Sequence, residues 1–283
     1  MNPLIGILGG SGLYSMEGLT VAERRTLETP FGAPSGPLVL GTLAGTPVVF
    51  LARHGEGHRL LPSEINYRAN IWALKAAGVQ SLISVSAVGS LQEAHPPATL
   101  RLPSQFIDRT HLRASTFFGD GLVAHVGFSD PVCPCLGRTL LEVGRELGLP
   151  LETCGSYVCM EGPAFSTRAE SLLHRSWGAD LIGMTQATEA KLAREAEICF
   201  ATVALVTDFD AWRVDAEGVE THDIMAVMHA NLATVAVLIR AALGRIDPAP
   251  GCRCRTALAT AIMTRPESIP AATRQKLELF LKN

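Results

Sequence analysis

Four short apolar runs, each ending abruptly in a polar cluster, constrain the fold of this chain more than any other feature. Leu4-Ile5-Gly6-Ile7-Leu8 runs into Gly9-Gly10-Ser11-Gly12, a turn whose glycines allow backbone shapes that other residues resist. Residues 47–52 end at Arg53-His54-Gly55. Residues 81–85 end at Ser86-Ala87-Val88-Gly89-Ser90, and residues 200–206 end at Thr207-Asp208. Runs of this length, bounded by turn signals, read as buried strands. Helical spacing lies between them. Tyr67, Ile71 and Leu74 mark a helix over residues 66–77 that stops at Gly78. Thr221 is placed to cap a long helix over residues 222–243, whose apolar face carries Ile224, Val227, Met228, Leu232, Val235 and Ile239 and which stops at Gly244. Strands alternating with helices mean an α/β fold with a largely parallel sheet. With no repeat or linker in view, residues 1–283 read as a single domain. Residues 245–283 form a C-terminal tail, with a turn at residues 247–251 and a helix over residues 271–281.

The composition removes several classes of function. Apolar residues make up 47% and charged residues 18% of the 283, so a large core is available and disorder is not expected. A formal net charge of -3 offers no basic face for nucleic acid. The longest apolar run, near residues 198–206, is far short of the ~20 residues of a membrane span. Met1-Asn2-Pro3-Leu4-Ile5-Gly6 has neither a basic start nor a long apolar stretch, so a cytoplasmic protein is expected. The seven cysteines are an odd number, which argues against a disulfide framework. Two C-x-C pairs stand out, Cys133/Cys135 and Cys252/Cys254. A one-residue spacer is poor for zinc. Free thiols are the first reading, a local Cys252–Cys254 disulfide the second, and a metal site the last, so no metal is expected.

In open α/β sheets, ligands bind beyond the carboxyl ends of strands. If the four polar clusters converge there, one pocket holds hydroxyls, an arginine, a histidine and two carboxylates. Arg53 offers a planar fork for an oxyanion, with hydroxyls from Ser11 and Ser86 and close backbone approach at Gly10 and Gly12. A structural ion pair is the plainer reading of Arg53, and a solvated turn the plainer reading of the aspartates. Asp208 and Asp210, two apart in a strand, would share a face. Paired carboxylates in a half-buried site raise one pKa, so one can serve as an acid while the other accepts a hydrogen bond from an amine. The chain has no G-x-x-x-x-G-K-[ST] loop, no G-x-G-x-x-G, no G-x-S-x-G elbow and no H-E-x-x-H.

These segments together resemble the 5'-methylthioadenosine phosphorylases of the trimeric purine nucleoside phosphorylase superfamily. The resemblance runs from about Ile5 to Leu243, and the tail with Cys252-Arg253-Cys254 is similar to that of bacterial and archaeal members. It is carried by Gly9-Gly10-Ser11-Gly12-Leu13, Arg53-His54-Gly55 with His58, and the segment from Asn66 to Leu74. Gln105-Phe106-Ile107-Asp108-Arg109-Thr110, Glu161-Gly162-Pro163, and Phe165-Ser166-Thr167-Arg168-Ala169-Glu170 follow. Trp177-Gly178-Ala179-Asp180, Gly183-Met184-Thr185 and Thr207-Asp208-Phe209-Asp210-Ala211-Trp212 complete it. The resemblance implies a twisted, mixed central β-sheet, a distorted barrel, flanked by helices. It implies a phosphate site of Ser11, Arg53, His54, Ser86, Ala87 and Thr185. Met184 would line the ribose, Phe165 would stack near the base, and Ser166, Phe209 and Asp210 would help to hold or read it. Asp208 would act at N7 and the 6-amino group as general acid. Thr221 and Ile224 would face the 5' group, and His125 would reach a neighbouring subunit's site. The implied enzyme is a cytoplasmic pentosyltransferase of purine and methionine salvage, a homotrimer or a dimer of trimers. Its partners are a nucleoside and inorganic phosphate, the latter a co-substrate, with no cofactor, nucleic acid or membrane.

The chain departs from the common pattern of these enzymes in places. Ser11 and Ser86 replace threonines but keep the hydroxyl. Phe209 replaces a frequent tyrosine, and residues 186–189 lack a proline often seen there. Thr221 replaces a common valine, which loosens the expected selection of methylthio over hydroxyl at the 5' position. The runner-up is a broader phosphorylase acting on adenosine or on 6-oxopurine nucleosides such as inosine. A nucleosidase using water, or a non-catalytic nucleoside-binding protein, would leave Arg53 and the hydroxyls, or Asp208, without a purpose.

Overall fold

The computed structural model describes residues 4–10, 16–213, 221–247 and 251–281, with the side chains of 221–226 left out. Ser11 and Gly12 therefore lie outside the described residues, as do the side chains of Thr221 and Ile224.

The apolar runs form the expected strands. These are β1 (Leu4–Gly9), β4 (Thr46–Ala52), β5 (Val79–Ser90) and β9 (Cys199–Phe209). The other strands are β2 (Leu19–Arg25), β3 (Leu38–Leu43), β6 (Thr99–Asp108), β7 (Leu151–Cys159) and β8 (Leu181–Gly183). β4, β1, β5 and β9 are adjacent and parallel, so their carboxyl ends lie along one edge. β5 pairs with both β8 and β9, and the order β5-β8-β7-β6-β9 closes on itself into a five-stranded ring of mixed direction. β1, β4, β3 and β2 extend the sheet from that ring. This is the distorted barrel with a twisted mixed sheet that the resemblance implies.

Two of the four strands run past the ends read from the sequence. β5 continues through Ser86-Ala87-Val88-Gly89-Ser90, and β9 continues through Thr207-Asp208-Phe209. An apolar pattern stops at the first serine or aspartate, but pairing does not. Ser86 faces Ala204 and Gly89 faces Asp208 across the same ladder. The polar clusters are thus partly inside the sheet, where their side chains are fixed by the ladder.

Period-two alternation sorts the core onto the two sheet faces. Ile7, Val48, Phe50, Ile83 and Val203 pack on one side against α2 (Pro134–Glu146) and α5 (Thr221–Ala242). Leu8, Val49, Leu51, Leu82 and Phe200 pack on the other against α1 (Tyr67–Ala76). Asn66 caps α1 by accepting from the Ala69 N–H, and Gly78 follows its end at φ +94, a left-handed conformation that suits glycine. α3 (Arg168–Ser176) opens on a Thr167/Glu170 capping box, and α4 is Gln186–Glu195.

α5 begins on Thr221 itself and gives way at Leu243 to a short 3-10 turn, with Gly244 inside that turn. Val227–Arg245 has the length and apolar composition of a membrane-crossing helix, although His229, Asn231, Thr234 and Arg240 interrupt its apolar run. Val235, Leu238, Ile239 and Ala242 are buried on the α2 and sheet side, so that face belongs to the core.

The described part of the tail packs on the body of the protein. Leu258, Leu277 and Phe280 are buried in the α1-side core. Three such side chains stabilise by roughly 1.5–3 kcal/mol each, enough to hold the segment down. Its terminal helix is broken at Leu277 into α6 (Ala271–Lys276) and α7 (Glu278–Leu281).

Candidate active site

The clusters at the ends of β4, β5 and β9 lie along one shared edge with the end of β1, whereas Ser11 and Gly12 of the first cluster lie outside the described residues. Arg53 follows β4 and donates its backbone N–H to the Gly9 carbonyl at 2.9 Å, tying the ends of β4 and β1 together. Its side chain is 3% exposed. The guanidinium forms a two-pronged pair with Glu189 of α4. Nε donates to Oε1, and Nη2 donates to Oε2 at 3.1 Å. Nη1 also donates to the Val85 carbonyl at 2.8 Å, and Nη2 to Ser84 Oγ at 2.6 Å.

Glu189 and Ser84 were not singled out from the sequence. Ser84 Oγ donates to Glu189 Oε2 at 2.6 Å, and Gln186 Nε2 reaches the same oxygen at 3.2 Å. Gln186 Nε2 also lies 3.1 Å from Thr185 Oγ1, while its Oε1 accepts from Thr202 at 2.7 Å. Every member of this network is buried. The plainer reading of Arg53 as an ion pair therefore describes most of its fork. One Nη1 hydrogen is left over after these bonds.

The other expected anion ligands come from β5, the start of α4 and the residue after Arg53. Ser86 is buried and Ala87 exposed on β5. Thr185 precedes α4 and makes no side-chain cap, so the positive end of the α4 dipole is open beside its hydroxyl. His54 Nδ1 is 2.8 Å from the Leu60 carbonyl, which can only accept; Nδ1 therefore carries the proton. Burial, and after it the Arg53 charge, push the His54 pKa down to about 4. The imidazole is thus neutral, with Nε2 left as an acceptor, and stacks on His58 at 4.2 Å between ring centroids.

Three residues along β5 from Ser86, about 10 Å away, the second cluster begins. Asp208 Oδ1 accepts from Thr207 Oγ1 at 2.6 Å. Burial raises the Asp208 pKa; the Thr207 bond opposes this and the Asp210 charge adds to it. Asp210 lies just past β9, its N–H bonded to the Ser90 carbonyl at 2.9 Å. Its side chain is buried, and Oδ2 has no partner among the described residues. Both aspartates border Gly89, where an added Cβ would meet Asp208 Oδ2 and the Asp210 Cβ at 3.4 Å. The shared face expected of the pair is realised around that glycine. His174 of α3, also missed from the sequence, is buried with Nδ1 unpartnered. Burial lowers its pKa, and the Asp210 charge acts against this.

Phe209 packs edge-on to Trp212 at 5.7 Å and lies under the Arg213 guanidinium. Ser166 Oγ is 3.8 Å from Met160 Sδ, and Phe165 is 75% exposed beside it. Met184 packs under Gly162, and its carbonyl accepts from Arg113, which also pairs with Glu161 at 2.9 Å. His125 is exposed on a segment whose backbone pairs with Ala261 of the tail. A cleft of about 770 Å³ lies elsewhere, near Val79 and Gln80 at the opposite end of β5. It carries none of these groups. The arrangement along the edge can hold an oxyanion at one end and, at the other, give a proton to and accept a hydrogen bond from a planar base.

Comparison with known proteins agrees with this geometry. Residues 4–244 match the phosphorylase superfamily. The chain is 54% identical over 281 residues to S-methyl-5'-thioadenosine phosphorylase of Koribacter versatilis, covering 99% of this chain and 96% of that protein. It is 52% identical to the Geobacter sulfurreducens protein of the same name, covering 99% of each. A crystal structure of methylthioadenosine phosphorylase from an antarctic soil metagenomic library superposes with TM-score 0.93 at 47% identity, covering 99% of both chains.

Proposed function

The chain belongs to the phosphorylase superfamily, and on that premise we propose that it catalyses the reversible phosphorolysis of 5'-methylthioadenosine to adenine and 5-methylthioribose 1-phosphate. The observation that carries this reading is the division of labour at Gly89. Asp208, its pKa raised, can hold a proton for the departing base, while the orphaned Asp210 Oδ2 needs a donor. A 6-amino group is such a donor. A 6-oxo group is not, and would leave a buried carboxylate oxygen unsatisfied at a cost of about 1–3 kcal/mol or more.

In the proposed reaction, phosphate binds at Ser11, Ser86, Ala87, Thr185, His54 and the remaining Nη1 hydrogen of Arg53. The C1'–N9 bond lengthens toward an oxocarbenium-like sugar. A phosphate oxygen then attacks C1' from the face opposite the base. Asp208 gives its proton to N7, so adenine leaves neutral, and the new C1'–O bond completes the sugar phosphate. A neutral His54 with a free Nε2 accepts a hydrogen bond from a protonated phosphate oxygen or a sugar hydroxyl. The Glu189 brace holds Arg53 and the start of α4 in one orientation, which is positioning rather than proton transfer. Phe165, Ser166, Phe209 and Met184 enclose base and ribose, and Thr221 and Ile224 face the 5' group. Phosphate is a co-substrate, and no other cofactor has a step to perform.

The whole chain acts in this reading as one phosphorylase domain with residues 245–283 as its tail, a cytoplasmic salvage enzyme. Exposed Phe165, Leu172, Leu173 and Trp177, around α3, support assembly as a homotrimer or a dimer of trimers, with His125 reaching a neighbouring subunit's site. A second reading, broader action on adenosine or inosine, is favoured by the Thr221 hydroxyl. Initial rates with methylthioadenosine, adenosine, methylthioinosine and inosine, with and without phosphate, separate these readings.

A further inference from the structure

Four of the seven cysteines converge at the end of β9 opposite the aspartates. Cys133, Cys199, Cys252 and Cys254 are all buried, and their Sγ atoms all lie within 4.8 Å of one another. The sequence reading weighed only neighbours in the chain, Cys133 with Cys135 and Cys252 with Cys254. Cys135 borders the cluster, next to Cys133 and Cys252, but is not one of the four, and the fold recruits Cys199 instead, 53 residues from Cys252.

We propose that this quartet is a structural zinc site that ties the C-terminal tail to the body of the protein. Four thiolates at about 2.3 Å from a zinc ion stand about 3.8 Å apart at the corners of a tetrahedron. Cys252 Sγ is 3.6 Å from both Cys133 Sγ and Cys199 Sγ, close to that edge. A disulfide needs sulfurs at about 2.05 Å, and Cys252, equally near two thiols, has no single partner. All-sulfur ligands and a buried tetrahedral arrangement select a soft-accepting ion such as zinc over calcium or magnesium.

The frame is built by backbone rather than by the thiols. Cys133 is the N-cap of α2, with its N–H bonded to the Phe200 carbonyl at 2.7 Å. Cys199 begins β9. Cys252 caps the 3-10 turn Arg253–Thr256, and Cys254 lies within it, so the turn rather than a two-residue loop brings both sulfurs to one side. The positive end of α2 and the Arg194 charge acting on Cys254 offset the excess negative charge of a zinc tetrathiolate. A narrow crevice lined by Ser81, Cys135, Leu136, Thr139 and Asp247 reaches Cys133, Cys199 and Cys252.

The test is metal and thiol analysis of the full chain, expressed with added zinc and purified without chelator. About one zinc per chain is expected, released when the thiols are modified. Cobalt exchange should give the charge-transfer and ligand-field bands of a tetrahedral thiolate site. Cys252→Ser and Cys254→Ser should each lower zinc content at least tenfold, whereas Cys135→Ser should leave it unchanged. Zinc-free protein with all seven thiols titratable after denaturation overturns the proposal. So does zinc-free protein whose mass is lower by two hydrogens per disulfide, and so does zinc retained in Cys252→Ser and Cys254→Ser.

Discussion

Arg53 and Glu189, 136 positions apart, face each other as a two-pronged ion pair with side chains 3% and 1% exposed. The pair sits between the end of β4 and the first turns of α4, and Ser84 and Gln186 complete the hydrogen bonding of the carboxylate. A buried pair satisfied in this way costs little to keep and much to break.

Removing one partner strands the other charge. Glu189→Ala should destabilise the protein by about 3–5 kcal/mol. Urea unfolding with the slope held common to both proteins measures it. A loss under 1 kcal/mol would mean that the carboxylate is solvated in solution.

Phosphate affinity needs a gentler probe, because Arg53→Ala would also leave Glu189 unpaired. Arg53→Lys keeps the charge and removes the fork. It should raise the phosphate KM by roughly ten- to a hundredfold, since one charge-assisted hydrogen bond is worth about 1.5–3 kcal/mol. The methylthioadenosine KM should move much less. An equal rise in both would assign Arg53 to the frame alone.

The raised pKa of Asp208 sets a direction with pH. Between the unfolded value, about 3.9, and the raised one, the folded protein keeps a proton that the unfolded chain has lost. The stability from this group is therefore full below the unfolded value and lost as pH rises through the folded one. The proton for N7 disappears over the same upper range, so kcat/KM should fall on that alkaline side. Asp208→Asn should lower kcat/KM for methylthioadenosine by about 10²–10⁴-fold, shift preference toward hypoxanthine nucleosides, and lose that alkaline fall. Wild-type kinetics in the variant would remove Asp208 from the chemistry.

His54 runs the other way. Its folded pKa is near 4, below the unfolded value of about 6.5, so the unfolded chain binds the extra proton between them. Stability from this group is present above 6.5 and lost as pH falls toward 4. The His54 ring resonances in a proton–carbon NMR titration should stay constant from pH 8 to about pH 5.5. A midpoint near 6.5 would show a charged imidazole beside Arg53 and contradict the neutral acceptor role.

The sequence was legible where chemistry followed chain order. The four strands, α1 with its Gly78 stop, and the Asp208/Asp210 pair all announce themselves in contiguous residues. Partnerships across the chain were not legible. Nothing near Glu189 marks it as the counter-ion of Arg53, because the pairing depends on the fold bringing the start of α4 against Ser84 of β5 and the residue that follows β4. His174 was hidden for a similar reason: it is one polar residue on a mostly polar helix, and only burial beside Asp210 distinguishes it. β5 and β9 were read too short because serine, glycine and aspartate interrupt an apolar pattern without interrupting the ladder. The cysteine quartet was invisible because its members come from three separate places in the chain.

The central claim is that one edge of the sheet holds phosphate at Ser86 and Thr185 and a 6-aminopurine at Asp208 and Asp210. Its most direct test is the rate of base release from methylthioadenosine, adenosine, methylthioinosine and inosine, with and without phosphate. The expected result is turnover that needs phosphate, yields adenine and 5-methylthioribose 1-phosphate, and favours the 6-amino members of each pair. Equal release without phosphate, or a preference for the 6-oxo members, would contradict it.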